Sequence, residues 1–177
     1  MRFLPALAII LLPTLSFAAG SDDAEPPQPT ATTTECTDGK VFDEEKKECV
    51  APEDSSLNND ERYRAVRELA YAGQPEAAMR VLAAMTEGQT DRVLTYTGFL
   101  NRQLGNWEAG ITAYEMALQI NPDNILARSY FGQALVLMNE TDMANVQLDE
   151  IRARGGVGSW AETALAEAIV TGTTTTY

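Results

Sequence analysis

Residues 91–124 read DRVLTYTGFLNRQLGNWEAGITAYEMALQINPDN, and their spacing dictates two helices. In the second half Trp107, Gly110, Ile111, Tyr114, Ala117 and Leu118 recur at steps of three and four, which puts them on one apolar stripe. Leu94, Thr97, Gly98, Asn101 and Leu104 keep the same phase in the first half, up to Gly105-Asn106. Asn121-Pro122-Asp123 ends the second helix, because proline has no amide hydrogen to continue the ladder and suits the first turn of the next helix. Two amphipathic helices joined by a tight turn make an antiparallel hairpin.

The pattern recurs on both sides. LGNWEAGITAY at 104–114 lines up with AGQPEAAMRVL at 72–82 and, more loosely, with MNETDMANVQL at 138–148. The turn positions Gly73, Gly105 and Asn139 lie 32 and 34 residues apart. A helix-turn-helix unit with a period near 34 resembles the tetratricopeptide repeat (TPR). In residues 91–124 Gly98 and Gly110 fall at that family's small positions, Tyr114 at its aromatic, Ala117 at its late alanine and Pro122 at its closing proline. Leu94 and Asn101 stand where the family has aromatic residues. Residues 125–158 keep Gly132 and Ala144 but end in Gly155-Gly156, and residues 59–90 keep Gly73 and Ala78. The resemblance implies an all-α solenoid of about three repeats over residues 59–170. Its last helix, near 159–170, carries Trp160, Ala164, Leu165, Ala168 and Ile169 on the stripe that covers the third repeat.

Outside the repeats the texture changes. Residues 1–18 have the form of a secretory signal peptide: Arg2, an apolar run, then Ser16-Phe17-Ala18 as a small-residue cleavage site. The run holds Pro5 and Pro13 and is shorter than a membrane span, so no stable anchor is expected after cleavage, and the protein should be periplasmic or secreted. Residues 19–35, rich in Asp, Pro and Thr, read as a disordered linker, as do 51–58, and 171–177 read as a disordered end. Between the linkers, residues 36–50 hold the two cysteines, Cys36 and Cys49, and an even count in an exported chain reads as one disulfide. Val41-Phe42 and residues 48–50 then make a short β-hairpin that the bridge closes. Reduction is expected to unfold this hairpin alone. The spacing Cys-x-x-Gly-x-Val-Phe-Asp…Cys-Val resembles small modules of secreted proteins, some of which bind chitin, although those carry more cysteines.

Composition narrows the function. The chain of 177 residues has 13 basic and 26 acidic residues and no histidine, for a net charge of −13. Without histidine there is no Ser-His-Asp or Cys-His set and no imidazole metal ligand, and so acidic a chain is a poor binder of nucleic acid. Carboxylates are scattered, Asp38-Gly39 and Asp142 lack the alternation of a calcium loop, and Gly155-Gly156-Val157-Gly158 lacks phosphate-loop spacing. A non-enzyme without cofactor or metal is expected.

The family resemblance further implies a concave groove lined by the first helix of each repeat, which takes a peptide or protein segment. Mapped onto this chain, the groove positions are Tyr63, Arg64 and Arg67, then Arg92, Tyr96, Phe99 and Arg102, then Tyr130 and Gln133. Arginines among rings suit acidic or carboxylate-bearing peptides, held by two-pronged guanidinium bonds over apolar platforms. The lysine and asparagine clamp of some family members is absent, since the three lysines Lys40, Lys46 and Lys47 all lie in the cysteine loop. The expected function is therefore a protein–protein adaptor in the cell envelope. The alternative is a cell-wall or carbohydrate-binding protein in which the cysteine hairpin binds and the repeats are scaffold.

Overall fold

The computed structural model describes residues 25–174, so the signal-peptide reading of residues 1–18, the 19–24 part of the 19–35 linker reading and the last three residues lie outside what is described. The described chain is mostly helical, with one small two-stranded sheet and a Cys36–Cys49 disulfide. A one-turn helix α1 (Ala31–Thr34) leads to strands β1 (Val41–Asp43) and β2 (Glu48–Val50). Seven helices follow: α2 (Asn59–Tyr71), α3 (Pro75–Ala83), α4 (Asp91–Gln103), α5 (Trp107–Ile120), α6 (Ile125–Leu137), α7 (Thr141–Ala153) and α8 (Trp160–Thr171).

The helix ends follow local chemistry. Asn58 and Glu61 form a reciprocal capping box at the start of α2, Pro75 opens α3, and Thr90, Asn124 and Ser159 accept backbone amides at the starts of α4, α6 and α8. The three turns aligned by sequence close alike. Gly73, Gly105 and Asn139 have φ of 70°, 82° and 63°, the left-handed region that glycine and asparagine tolerate. In each, the following amide returns to the last helical turn: Gln74 to the Leu69 carbonyl, Asn106 to that of Asn101, Glu140 to that of Leu135.

Consecutive helices pack in pairs, α2 with α3, α4 with α5 and α6 with α7, while α8 lies on α6 and α7. The second pair meets through glycines. A Cβ on Gly98 would come within 2.6 Å of the Tyr114 ring, and one on Gly110 within 3.1 Å of the Gly98 carbonyl oxygen. In the third pair the equivalent small residue faces α8, where a Cβ on Gly132 would meet Leu165 at 2.6 Å. Polar ties join the starts of alternate helices. Arg92 reaches Asp60 at 2.7 Å, and Asn121 and Asn124 both donate to Asp91.

The N-terminal part differs from its sequence reading. The strands pair antiparallel, with Val41 opposite Val50 and Phe42 opposite Cys49. They are built onto the helices, because Val41, Val50 and Leu57 belong to the same buried cluster as Val66, Ala77 and Val81. Residues 51–58, expected as a linker, are gripped by Arg62, whose guanidinium donates to the carbonyls of Pro52, Asp54 and Leu57. Within 19–35, read as disordered, α1 is docked on α2. The buried Glu68 carboxylate accepts the amides and hydroxyls of Thr30 and Thr33.

Candidate functional site

One face, built from α2, α4, α6 and α8, gathers six of the ten aromatic side chains among the described residues. On α2 the steps of four from Tyr63 through Arg67 to Tyr71 keep all three on one side. On α4 Arg92, Tyr96, Phe99 and Arg102 do the same at steps of three and four, and Tyr130 and Trp160 come from α6 and α8. Tyr63 meets Tyr96 edge-on at 5.5 Å, and Tyr96 meets Tyr130 edge-on at 6.0 Å. Phe99 lies 4.6 Å from Tyr130 and stacks on Tyr71 at 6.3 Å, while Trp160 closes on Tyr130 at 6.0 Å. Such ring pairs add about 0.5–1.5 kcal/mol each beyond their buried area. The Tyr71 and Tyr130 hydroxyls share a 2.8 Å hydrogen bond.

Of the residues expected in the groove, Tyr63, Arg67, Arg92, Tyr96, Phe99, Arg102 and Tyr130 are brought together here. The rings form a packed layer, with Tyr96 and Tyr130 fully buried and Phe99 and Tyr63 nearly so. Arg64 is exposed and takes no part in the ring layer. Gln133 is fully buried on α6, where its amide nitrogen donates to Ser129 and its carbonyl oxygen has no partner. Tyr71 and Trp160 were missed in the groove reading. Continuing the four-residue step beyond Arg67 would have found Tyr71, whereas Trp160 was legible only as part of the covering helix.

The arginines on this face have unlike surroundings. Arg92 spans Glu87 and Asp60 with its guanidinium 4.9 Å from the Tyr63 ring centre, and its hydrogen bonds to Glu87 hold its pKa above the usual arginine value. Arg67 donates to the Glu25 carbonyl and sits 5.9 Å from the same ring. Arg102 lies 5.2 Å from the Phe99 ring centre and is only 8% exposed, yet its Nη1 has no hydrogen-bond partner. Among the described residues no carboxylate pairs with it. Together with Gly73, Pro75, Gln103, Trp107, Leu137 and Thr174 it lines a cavity of about 420 Å³. Burial without a counter-charge disfavours a cation by several kcal/mol, so this cavity suits an anion.

No described helix is long and apolar enough to cross a membrane, and no group of three or more potential metal-ligating side chains occurs among the described residues. Searches against protein-family models, curated proteins and solved structures give no significant match.

Proposed function

We propose that the chain is a non-enzymatic adaptor of the bacterial periplasm or cell envelope, whose helical pairs form a TPR-type solenoid and hold a partner's peptide segment along the Arg-aromatic face. Three features support the repeat reading: the common closure of the turns at Gly73, Gly105 and Asn139, the pairwise packing, and the ties that repeat between Asp60, Arg92, Asp91 and Asn124. Secretion accords with the disulfide. Arg102 carries the binding reading. A buried guanidinium without a carboxylate, opening on a cavity walled by Trp107 and Leu137, is a seat for a carboxylate-bearing peptide with an apolar neighbour. The carbohydrate alternative has less support, since the hairpin spends its Val41 and Val50 side chains on the shared core.

The test is capture of the envelope partner by the chain carrying Arg67→Glu and Arg102→Glu. Helical circular dichroism should be retained and capture lost. Capture at the original level would remove the face from consideration.

A further inference from the structure

Pro26, Pro27 and Pro29 fix three of four consecutive backbone φ angles near −65°, and Gln28, preceding a proline, is steered away from helix as well. Residues 26–29 are thereby disposed to the extended polyproline conformation, which binds aromatic surfaces at little cost in entropy. In this molecule the segment is already seated on one. The Glu25 carbonyl accepts from Arg67 Nη2 at 2.5 Å, and the three prolines, with Thr33, Glu68, Tyr71 and Ala72, wall a cavity of about 260 Å³. Tyr71 there belongs to the ring layer, stacked on Phe99 and tilted against Trp160.

The two ends of this strap are held unequally. At 30–33 the Glu68 carboxylate, only 6% exposed, accepts Thr30 N at 2.6 Å, Thr30 Oγ1 at 2.7 Å, Thr33 Oγ1 at 2.5 Å and Thr33 N at 3.1 Å. Hydrogen bonds to an ionised group are the strong kind. Among the described residues, 25–29 are held by the Arg67 bond to the Glu25 carbonyl and by half-buried Pro26 and Pro27 over an incompletely filled cavity, with Pro29 exposed. Were the proline end to lift, the threonine bonds to Glu68 would keep it tethered, and the segment would return at high effective concentration.

We propose that Arg67, Tyr71 and Ala72 form a subsite for a proline-bearing extended segment of the partner, and that the chain's own residues 25–29 occupy it in cis until that segment displaces them. This rests on the Arg-aromatic face being the binding face. Occupation in cis lowers the partner's apparent affinity by the fraction of molecules whose subsite is open.

The test uses the chain without residues 1–18 and a labelled peptide, Ala-Glu-Pro-Pro-Gln-Pro-Thr, which copies residues 24–30. The three prolines are exposed or half-buried and lie outside the helices, so Pro26→Ser, Pro27→Ser and Pro29→Ser together leave the helical body folded, as circular dichroism checks. Fluorescence anisotropy should show the triple variant binding the peptide about tenfold or more tighter than the unsubstituted chain, as expected if the strap closes the subsite in nine molecules of ten. Adding Arg67→Glu should abolish that binding. Equal affinities, no binding to either chain, or binding that survives Arg67→Glu would overturn the proposal. If peptide binding fails while the envelope partner still crosslinks from position 103, the subsite falls and the groove reading stands; if both fail, both fall.

Discussion

The two ends of the helical stack are covered by different means. At the C-terminal end α8 lays Ala161, Ala164, Leu165 and Ala168, all buried, on α6 and α7, and Gly132 makes room for Leu165. At the N-terminal end the one-turn α1 is the only helix before α2 among the described residues, too short to cover it. A disulfide-closed hairpin covers α2 and α3 instead, joined by Val41, Val50 and Leu57 and by arginines that bond to backbone carbonyls: Arg62 to three, and Arg80 to that of Asp38. Gly39 packs closely there, since a Cβ on it would meet Ala77 at 3.2 Å. An apolar helix needs only surface to cover its neighbour. A loop brings bare carbonyls with it, and these must find donors before the end can be buried.

The largest effect is expected at the apolar end. Leu165→Ala should cost about 2–5 kcal/mol in denaturant unfolding, because the cavity opens against helix backbone at Gly132. At the other end, Cys36→Ser with Cys49→Ser should cost about 3 kcal/mol on the loop-entropy account. Because the hairpin shares its core with α2 and α3, the helical signal at 222 nm should melt earlier too. An unmoved helical midpoint would mean that the hairpin is a separable accessory, as the sequence alone suggests. Between the two ends, Gly98→Ala should cost about 1–3 kcal/mol by forcing α4 and α5 apart at Tyr114.

Acid should loosen the N-terminal end, which holds two lowered carboxylates, more than the C-terminal end, where Glu162 is lowered by its hydrogen bond from Arg152. Asp54 is held well below the usual carboxylate range, first by the Ser56 amide and then by Lys46 and the Ser56 hydroxyl, and Asp43 is lowered mainly by its hydrogen bond from Ser56. Groups lowered on folding contribute fully above the unfolded value of about 4 and lose that contribution as pH falls further. Protection of the amides in residues 41–56 against exchange should therefore fall below about pH 4, before that of the amides in α6 does. The smallest effect is expected from Tyr114→Phe. The buried hydroxyl has no partner, so its removal should change stability by no more than about 0.5 kcal/mol or raise it slightly, as thermal melting can check.

Much of the helical body was legible because its signals are local. The apolar steps of α5, the proline after α5 and the glycine turns each act within a few residues, and α8 announced itself by one stripe. The N-terminal cover was not legible. Arg62 and Arg80 find carbonyls, which every residue carries, and Glu68 finds threonines 35 and 38 positions away, so no residue type marked these partners in advance. Of the candidate face, the family mapping named Tyr63, Arg67, Tyr96 and Phe99 together, and the structure brings their side chains to one side. It could not tell that the rings would pack on one another, nor that Arg92 would be taken up by Glu87 and Asp60, because both depend on the spacing between helices.

Whether the face around Arg102 receives the partner is read out by site-specific photocrosslinking in the native envelope. A photoreactive residue is placed at Gln103, which lines the Arg102 cavity, or at Glu115 on α5, both exposed side chains. The expected result is one discrete adduct from position 103, lost with Arg102→Glu, and none from 115. Adducts from 115 but not from 103, or an adduct from 103 indifferent to Arg102→Glu, would contradict the account.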